Sequence, residues 1–386
     1  MKIVVVAPRE EHWDGTGGAI ATWVENVQVP SNQNLTVVGA SRNGGNDWYN
    51  SPRRLQLAKV AISRTAALLS HLFQIKPKDL ENALWLRGLL YVLLLLPEVR
   101  NADIVYIHNR PLYAKYFRVL GFSGKIILHM HNHATPYFRR MKAEHIHSID
   151  HFLFCSEYIR HAAVNECSVP EERTAVLYNG VADNQVRHVS PMSLDLLFVG
   201  RLQEIKGTDV AIQAVSILRE NGYDATLKLV GGSDFGMHDS LTPFSATLKQ
   251  MAESVNAKFG SNVISFLGPK PLPEVLEHMA QSPLFIFPSR TEEAFGMVLA
   301  ESLSRGSYPL ATVTGGMPEI LDIAGLNTYN SLYTAEEFAA AAIKAQESVT
   351  DAVRSETAQK VISRLNWSNI RKDYENLMDE LSKLSQ

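Results

Sequence analysis

The sequence has little cysteine and lacks a long apolar run. Its 386 residues include two cysteines, Cys155 and Cys167, whose spacing fits neither a disulfide framework nor a metal motif. We therefore expect reduced thiols and a cytoplasmic protein. The most apolar segment, 84–97, contains Arg87 and is shorter than the roughly 20 residues needed to span a membrane. The opening residues MKIVVVAPRE read as a strand and not as a signal peptide.

Short apolar strands alternate with helical patterns along both halves of the chain. The strands are predicted at 2–7, 35–39, 104–108, 125–130, 152–155, 194–199, 225–230, 263–266, 284–287 and 308–312. The helices are predicted near 18–28, 52–73, 79–98, 111–120, 207–221, 241–258, 273–280, 297–305 and 335–347. This alternation predicts an α/β protein with two doubly wound parallel sheets. A chain of 386 residues suits two domains, which we place at 1–185 and 186–366, joined by a polar linker.

The most informative segment is Pro288–Glu301, PSRTEEAFGMVLAE. It follows an apolar strand and opens into a helical pattern, so free backbone amides and the helix dipole make a place for an anion. Glu293 and Glu301 cannot hold an anion, but carboxylates accept hydrogen bonds from the hydroxyls of sugars. The segment therefore suggests a nucleotide-sugar site.

The positive charge for such a site is found about ninety residues earlier. The predicted strand 194–199 runs into Gly200-Arg201-Leu202-Gln203-Glu204-Ile205-Lys206-Gly207. The Arg201 guanidinium can form two hydrogen bonds to phosphate oxygens, and Lys206 adds a compact charge. Together they favour stabilisation of a departing diphosphate.

These motifs, with Gly315-Gly316-Met317-Pro318-Glu319, resemble the GT4 family of retaining glycosyltransferases, which has the GT-B fold. The resemblance covers nearly the whole chain and is strongest over 196–322. One departure is Ala294, where the family commonly has glycine, so we expect this position to avoid a positive φ. The resemblance implies two Rossmann-like domains facing a cleft, with 367–386 forming a last helix that crosses back to the first domain.

The resemblance also implies a role for each matching residue. Glu301 would accept hydrogen bonds from the ribose hydroxyls, and Glu293 from the donor sugar. The diphosphate would be held by Arg201, Lys206, the amides of Gly296, Met297 and Val298, and the loop around Phe295. His131 would face the donor sugar. No cofactor or metal is expected, and the family proposal is that the leaving phosphate takes the acceptor's proton on the same face of the sugar.

A glycine loop follows the first predicted strand. Gly15, Gly17 and Gly18 precede a helical pattern, but Ile20 stands where a dinucleotide fingerprint needs glycine or alanine. The dehydrogenase interpretation therefore fails. We expect Gly17 and Gly18 to approach the donor, and the preceding segment with His12 to line an acceptor pocket; a simple tight turn is the alternative.

Three histidines alternate at the end of the fourth strand: His129, His131 and His133. Alternation places them on one face, but three histidines without a carboxylate are more often structural than metal ligands. Weaker candidates to line the site are Asn109, Ser156, Asn179, Gly315 and Gly316. For Ser156 and Asn179 the alternative is turn or cap chemistry.

The acceptor is inferred by analogy. Segments 17–24, 129–133 and 292–300 are similar to bacterial transferases that build the lipopolysaccharide core, so the predicted donor is a UDP-linked hexose or N-acetylhexosamine. The stretch Arg53–Arg87 has seven basic and two acidic residues. It is either a solvated helix face or a contact with anionic lipid at the inner face of the cytoplasmic membrane. No nucleic-acid partner is expected.

Other functions remain open at this point. A GT-B nucleotide-sugar 2-epimerase would use the same donor site without an acceptor. A second alternative is a transferase that acts on a small soluble acceptor, and a third is a non-catalytic protein that only binds the sugar nucleotide. Conversion of donor without acceptor would reveal the epimerase.

Overall fold

The chain divides into two compact units in a computed structural model. The described residues are 1–8, 18–31, 34–39, 49–50, 52, 55, 84–133, 143–183, 191–233, 242–260, 262–326 and 331–383. The first unit consists of Met1–Tyr178 together with Arg371–Gln386, and the second consists of Asn179–Ile370. Most of the predicted helix at 52–73, the loop residues His12 and Gly17, and most of Arg53–Arg87 lie outside the described residues.

The first unit contains a seven-stranded parallel sheet in the order β3-β2-β1-β4-β5-β6-β7. Its strands are β1 (Ile3–Val6), β2 (Leu35–Val38), β3 (Tyr49–Asn50), β4 (Ile104–His108), β5 (Lys125–Met130), β6 (His151–Phe154) and β7 (Thr174–Val176). The order reverses between β1 and β4, where Ile3 is in register with Ile104. In doubly wound sheets such a reversal marks the place where ligands bind, beyond the carboxyl ends of the strands.

The helices of the first unit are short, apart from two. They are α1 (Ala19–Trp23), a π-helical turn (Val24–Gln28), α2 (Val29–Ser31), α3 (Leu84–Val99), α4 (Pro111–Val119), α5 (Ala143–Ile146) and α6 (Glu157–Cys167). The last helix of the chain, α14 (Trp367–Lys383), begins in the second unit and ends in the first. Its Arg371 donates to the Asn26 carbonyl at 2.9 and 3.1 Å, which ties the end of the chain to the first unit.

The second unit contains a five-stranded parallel sheet in the order β10-β9-β8-β11-β12. Its strands are β8 (Asp195–Val199), β9 (Thr226–Val230), β10 (Ile264–Gly268), β11 (Leu284–Phe287) and β12 (Tyr308–Ala311). Its helices are α7 (Thr208–Glu220), α8 (Pro243–Phe259), α9 (Leu272–Gln281), α10 (Met297–Ser304), α11 (Met317–Ala324), α12 (Ala335–Ser348) and α13 (Asp351–Leu365). Here the order reverses between β8 and β11, which places the loops after these two strands at the expected ligand position.

The central strands are buried on both faces, as parallel sheets covered by helices require. Every residue of β11 is buried, and so is every residue of β4. In the second unit one large apolar cluster includes Leu196, Leu229 and Ile286. A smaller cluster lies on the other face of the sheet. It includes Leu197, which alternates with Leu196 along β8, and Met279. The predicted pair of parallel α/β sheets is confirmed.

Some boundaries and elements differ from the sequence prediction. The first unit ends at Tyr178, whereas the predicted boundary followed residue 185. Val181 explains the difference, because its amide donates to the Leu365 carbonyl at 2.7 Å and ties this segment to the second unit. The sequence also missed β3, β7, α5, α6, α11 and α13. Helix α13 is polar overall and buries a narrow stripe that includes Arg354, Val361 and Leu365.

Candidate functional site

Two loops of the second unit lie side by side where the strand order reverses. The loop after β8 carries Lys206, and the loop after β11 carries Glu293. Arg290 holds the loops together. Its guanidinium donates to the Glu204 carbonyl at 2.6 Å and pairs with both oxygens of Asp209 at 3.0 and 2.7 Å. Arg290 could not be predicted from the sequence, since only the fold brings it to Asp209.

Close backbone contact between these loops depends on Gly207. This residue has a φ of 68° and ends the 3₁₀ turn Glu204–Lys206. A Cβ atom at this position would overlap the carbonyl of Pro288. Geometry thus explains why glycine stands at position 207, because it permits both a left-handed turn and the approach of the neighbouring loop.

Lys206 and Glu293 form an ion pair at the centre of this loop pair. The Lys206 Nζ atom lies 2.6 Å from Glu293 Oε1, and the side chains are 15% and 17% exposed. The Ser289 hydroxyl donates to the same carboxylate oxygen at 3.0 Å. Lys206 also lies 5.8 Å from the centre of the Phe287 ring. Two residues predicted to share a site are therefore in direct contact, although they are 87 positions apart.

The Gly315-Gly316 pair supports the backbone of Glu293. The Gly316 amide donates to the Glu293 carbonyl at 2.8 Å. Gly315 has a φ of 64°, and a Cβ atom on it would overlap the Glu293 backbone. These glycines were predicted to line the site, and here they hold the loop that carries Glu293 in place.

Glu301 occupies the helix that follows this loop. Helix α10 begins after Gly296, whose φ is 97°, while Ala294 avoids a positive φ as predicted. Phe295 is buried, and Val298 packs against the smaller apolar cluster. Burial raises the pKa of the Glu301 carboxyl to about 7, and the charge of Arg305 partly opposes this rise.

Arg201 lies two residues after the end of β8 and is partly exposed. Its carbonyl accepts a hydrogen bond from the Gln203 amide at 2.8 Å, which shapes the turn that leads to Lys206. Its predicted contact with phosphate oxygens stays a prediction.

The first unit holds a buried polar cluster at its own strand reversal. His108 ends β4 and His131 follows β5, and His108 Nδ1 lies 2.9 Å from His131 Nε2. On its other side, His108 Nε2 lies 3.2 Å from the Oε1 atom of Gln28. His129 Nδ1 lies 3.0 Å from the Tyr106 hydroxyl. All five side chains are almost fully buried.

Burial keeps the central imidazoles neutral. It lowers the pKa of His108 and His129 well below the usual 6.5, and the neighbouring histidines lower both further. Trp23 covers the cluster, with its ring 4.7 Å from that of His129 and 5.9 Å from that of His131. The roles of Trp23, Gln28 and His108 could not be predicted from the sequence, because the π-helical turn that positions the first two has no sequence signature.

Ring nitrogens of His108, His129 and His131 lie within 4.8 Å of one another, which raises the question of a metal. A tetrahedral zinc ion with ligands at 2.0–2.1 Å separates its nitrogens by about 3.4 Å. The 2.9 Å separation between His108 and His131 instead fits a direct hydrogen bond. His133 lies apart from this group and contacts the Tyr158 hydroxyl at 3.1 Å.

The weaker candidates have mostly structural surroundings. Asn109 has a φ of 55°, and its Oδ1 accepts the His131 amide at 2.7 Å, so it fixes the backbone of His131. Ser156 caps α6 by accepting the Ile159 amide at 3.2 Å. Gly18 is exposed at the start of α1, and Asn179 is buried in the second unit.

Two family models match the chain. Residues 183–359 match the model described as glycosyl transferases group 1, and residues 50–185 match glycosyltransferase family 4. Together these matches cover most of the sequence. The chain belongs to the GT4-type glycosyltransferases.

Individual relatives agree with this assignment. Lipopolysaccharide 1,2-N-acetylglucosaminetransferase of Salmonella typhimurium is 26% identical over 287 residues, which is 72% of either chain. Spore coat protein SA of Bacillus subtilis is 25% identical over 247 residues, 59% of this chain and 64% of its own length. The structure of Anabaena HepE in complex with UDP has a TM-score of 0.69 at 17% identity, covering 98% of this chain and all of the other. The predicted GT-B fold is confirmed.

Within the described part of this glycosyltransferase, no helix has the length and apolarity to cross a bilayer.

The matches to the family models and to the solved structure confirm the family and the fold predicted from the motifs. The individual roles of Arg201, Lys206, Glu293, Glu301 and His131 stay predictions.

Proposed function

We propose that the protein is a retaining transferase that moves a hexose or N-acetylhexosamine from a UDP-linked donor to a cell-surface glycan. The observation that carries the proposal is the Lys206–Glu293 ion pair, supported by Ser289 at the strand reversal of the second unit. It combines a cation for phosphate with an acceptor for sugar hydroxyls. The HepE complex with UDP and the Salmonella N-acetylglucosaminetransferase support the choice of donor and acceptor.

Lys206 is suited to hold the diphosphate without releasing Glu293. An ammonium group carries three N–H donors, so one can stay on Glu293 while others reach phosphate oxygens. Arg201 adds a planar guanidinium, and the first amides of α10 add the positive end of a helix. These charges favour the departing diphosphate, which would take the acceptor's proton on the same face of the sugar. No cofactor is assigned to this reaction.

The two glutamates would contact different uncharged parts of the donor. Glu293, fixed by Lys206 and Ser289, would accept hydrogen bonds from the sugar hydroxyls. Glu301 would accept them from the ribose. His131 of the first unit is assigned to the donor sugar on the family resemblance. The acceptor is proposed as lipopolysaccharide core or a related glycan, which places the protein at the inner face of the cytoplasmic membrane.

Membrane contact through the first unit is part of this proposal. Helix α3 exposes Leu90 and Leu93, at 43% and 38%, three positions apart and thus on one face. The preceding stretch Arg53–Arg87 is basic in sequence. An apolar helix face that follows a basic stretch in the sequence is typical of peripheral binding to anionic lipid.

Substitution of the two cations tests the proposal. Arg201→Ala or Lys206→Ala is expected to lower kcat by roughly 10²–10³-fold at saturating donor, as for other lost transition-state donors. Ser289→Ala is expected to cost about tenfold or less, since it removes one hydrogen bond to a carboxylate. Lys258→Ala serves as a matched control, because this lysine also pairs with a glutamate of the second unit but is exposed.

The assay screens UDP-, GDP- and ADP-sugars, and NMR of the product gives its anomeric configuration. An inverted product would contradict retention. Conversion of the donor to an isomer of equal mass without acceptor would favour an epimerase. Wild-type turnover in both cation variants would contradict the assigned site.

A further inference from the structure

Gln28, His108 and His131 form a continuous hydrogen-bonded chain inside the first unit. Gln28 and His108 are fully buried, and His131 nearly so. The chain begins at Gln28 Oε1, 3.2 Å from His108 Nε2, and continues from His108 Nδ1 to His131 Nε2 at 2.9 Å. The amide group of Gln28 at one end determines which ring nitrogens of the two histidines carry protons.

An amide oxygen can only accept a hydrogen bond. With the Gln28 amide placed so that Oε1 faces His108, the proton of His108 is assigned to Nε2. Because His108 is neutral at this buried position, its Nδ1 has a lone pair and accepts a hydrogen bond from its neighbour. That neighbour is His131 Nε2, which must be the protonated nitrogen of its ring.

We propose that Gln28 and His108 are positioning residues that fix His131 as its Nε2–H tautomer. This inference rests on the proposed contact between His131 and the donor sugar, since it defines which ring nitrogen is protonated there. Asn109 holds the backbone at the same point, through its 2.7 Å hydrogen bond to the His131 amide. Ring orientation and tautomer are thus set from separate sides.

The π-helical turn explains how Gln28 reaches His108. Residues five apart on an α-helix point about 140° away from each other. The turn Val24–Gln28 closes instead with a hydrogen bond from the Val29 amide to the Val24 carbonyl. As a result Trp23 and Gln28 both contact His108, the former with its ring 5.8 Å away. Such π turns often mark functional positions.

The tautomer can be measured directly. Long-range ¹H–¹⁵N NMR on protein labelled in histidine distinguishes protonated from unprotonated ring nitrogens, and the His131 signals are assigned by their loss in His131→Asn. We expect a protonated Nε2 and an unprotonated Nδ1 at His131 in the wild type. The opposite tautomer would overturn the proposal, because it requires the Gln28 amide to donate to His108.

Two variants separate positioning from general damage. Gln28→Leu removes the terminal acceptor and is expected to give mixed His131 tautomers and about tenfold lower kcat, with an unchanged Kd for UDP. Tyr106→Phe removes a buried hydroxyl beside His129 and should leave the His131 tautomer as in the wild type. An unchanged tautomer in Gln28→Leu would refute the role of Gln28.

The experiment also separates this inference from the proposed function. If the tautomer is as expected but His131→Ala retains wild-type kcat, then His131 has no catalytic role and the hydrogen-bonded chain of Gln28, His108 and His131 is purely structural. If His131→Ala is inactive while the wild-type ring is an Nδ1–H tautomer, the proposed role of His131 at the donor is supported and the positioning role of Gln28 and His108 is refuted.

Discussion

Glu301 is predicted to destabilise the protein at neutral and alkaline pH. Its folded-state pKa of about 7 lies above the ordinary 4.5 because the carboxyl is buried. The folded protein therefore binds one more proton than the unfolded chain between these two pH values. Stability consequently falls as the pH rises from about 4.5 to 7. At about 1.4 kcal/mol per pH unit, the loss amounts to about 3 kcal/mol above pH 7.

The substitution Glu301→Gln removes this cost while keeping the shape of the side chain. We expect wild type and variant to have similar free energies of unfolding at pH 5. At pH 8 the variant should be more stable by about 3 kcal/mol. Urea denaturation at the two pH values measures the difference, and the exposed Glu347, changed to Gln, serves as the control. A variant no more stable than wild type at pH 8 would refute the reasoning.

The same residue links donor binding to pH. An ionised carboxylate accepts hydrogen bonds from both ribose hydroxyls, whereas protonation turns one of its oxygens into a donor. Protonation of Glu301 therefore competes with the nucleotide. With a pKa of about 7, the Kd for UDP should be about tenfold higher at pH 6 than at pH 8. The nucleotide's own titration is removed by comparison with Glu301→Gln, which should bind more weakly at pH 8 and lack this tenfold dependence. Equal pH dependence in both proteins would contradict a ribose contact at Glu301.

Much of the fold and part of the site could be predicted from sequence because they depend on local patterns. Apolar runs such as 284–287 gave β11 at its observed position. The closeness of Lys206 and Glu293 could be predicted because both residues lie in loops that follow strands, and the carboxyl ends of parallel strands meet at one edge of the sheet. Sequence could not supply the strand order, which makes β8 and β11 neighbours.

The features that sequence missed depend on tertiary contacts. Ser289 supports Glu293 through one hydroxyl, and a serine in a loop is too common to indicate this. The histidine alternation at 129–133 predicted one group of three, but His133 lies apart and His108 from the adjacent strand takes its place. The pairing of β4 with β5 puts His108 level with His129, and no periodicity within either strand specifies that register.

Two further predictions test the surface of the first unit and the loops of the second. The double variant Leu90→Glu, Leu93→Glu should no longer co-sediment with anionic vesicles at low salt. The control Val119→Glu changes a 73% exposed apolar residue outside α3 and should bind like the wild type. Equal binding by the wild type, the double variant and the control would exclude α3 as the contact. Gly207→Ala should lower stability by several kcal/mol and abolish transfer, because φ is 68° and the new Cβ would overlap the Pro288 carbonyl. Since that overlap separates the loops that carry the cation and the carboxylate, UDP binding measured on the folded fraction should weaken as well. Normal UDP affinity in this variant would mean that the two loops bind the nucleotide independently of their contact.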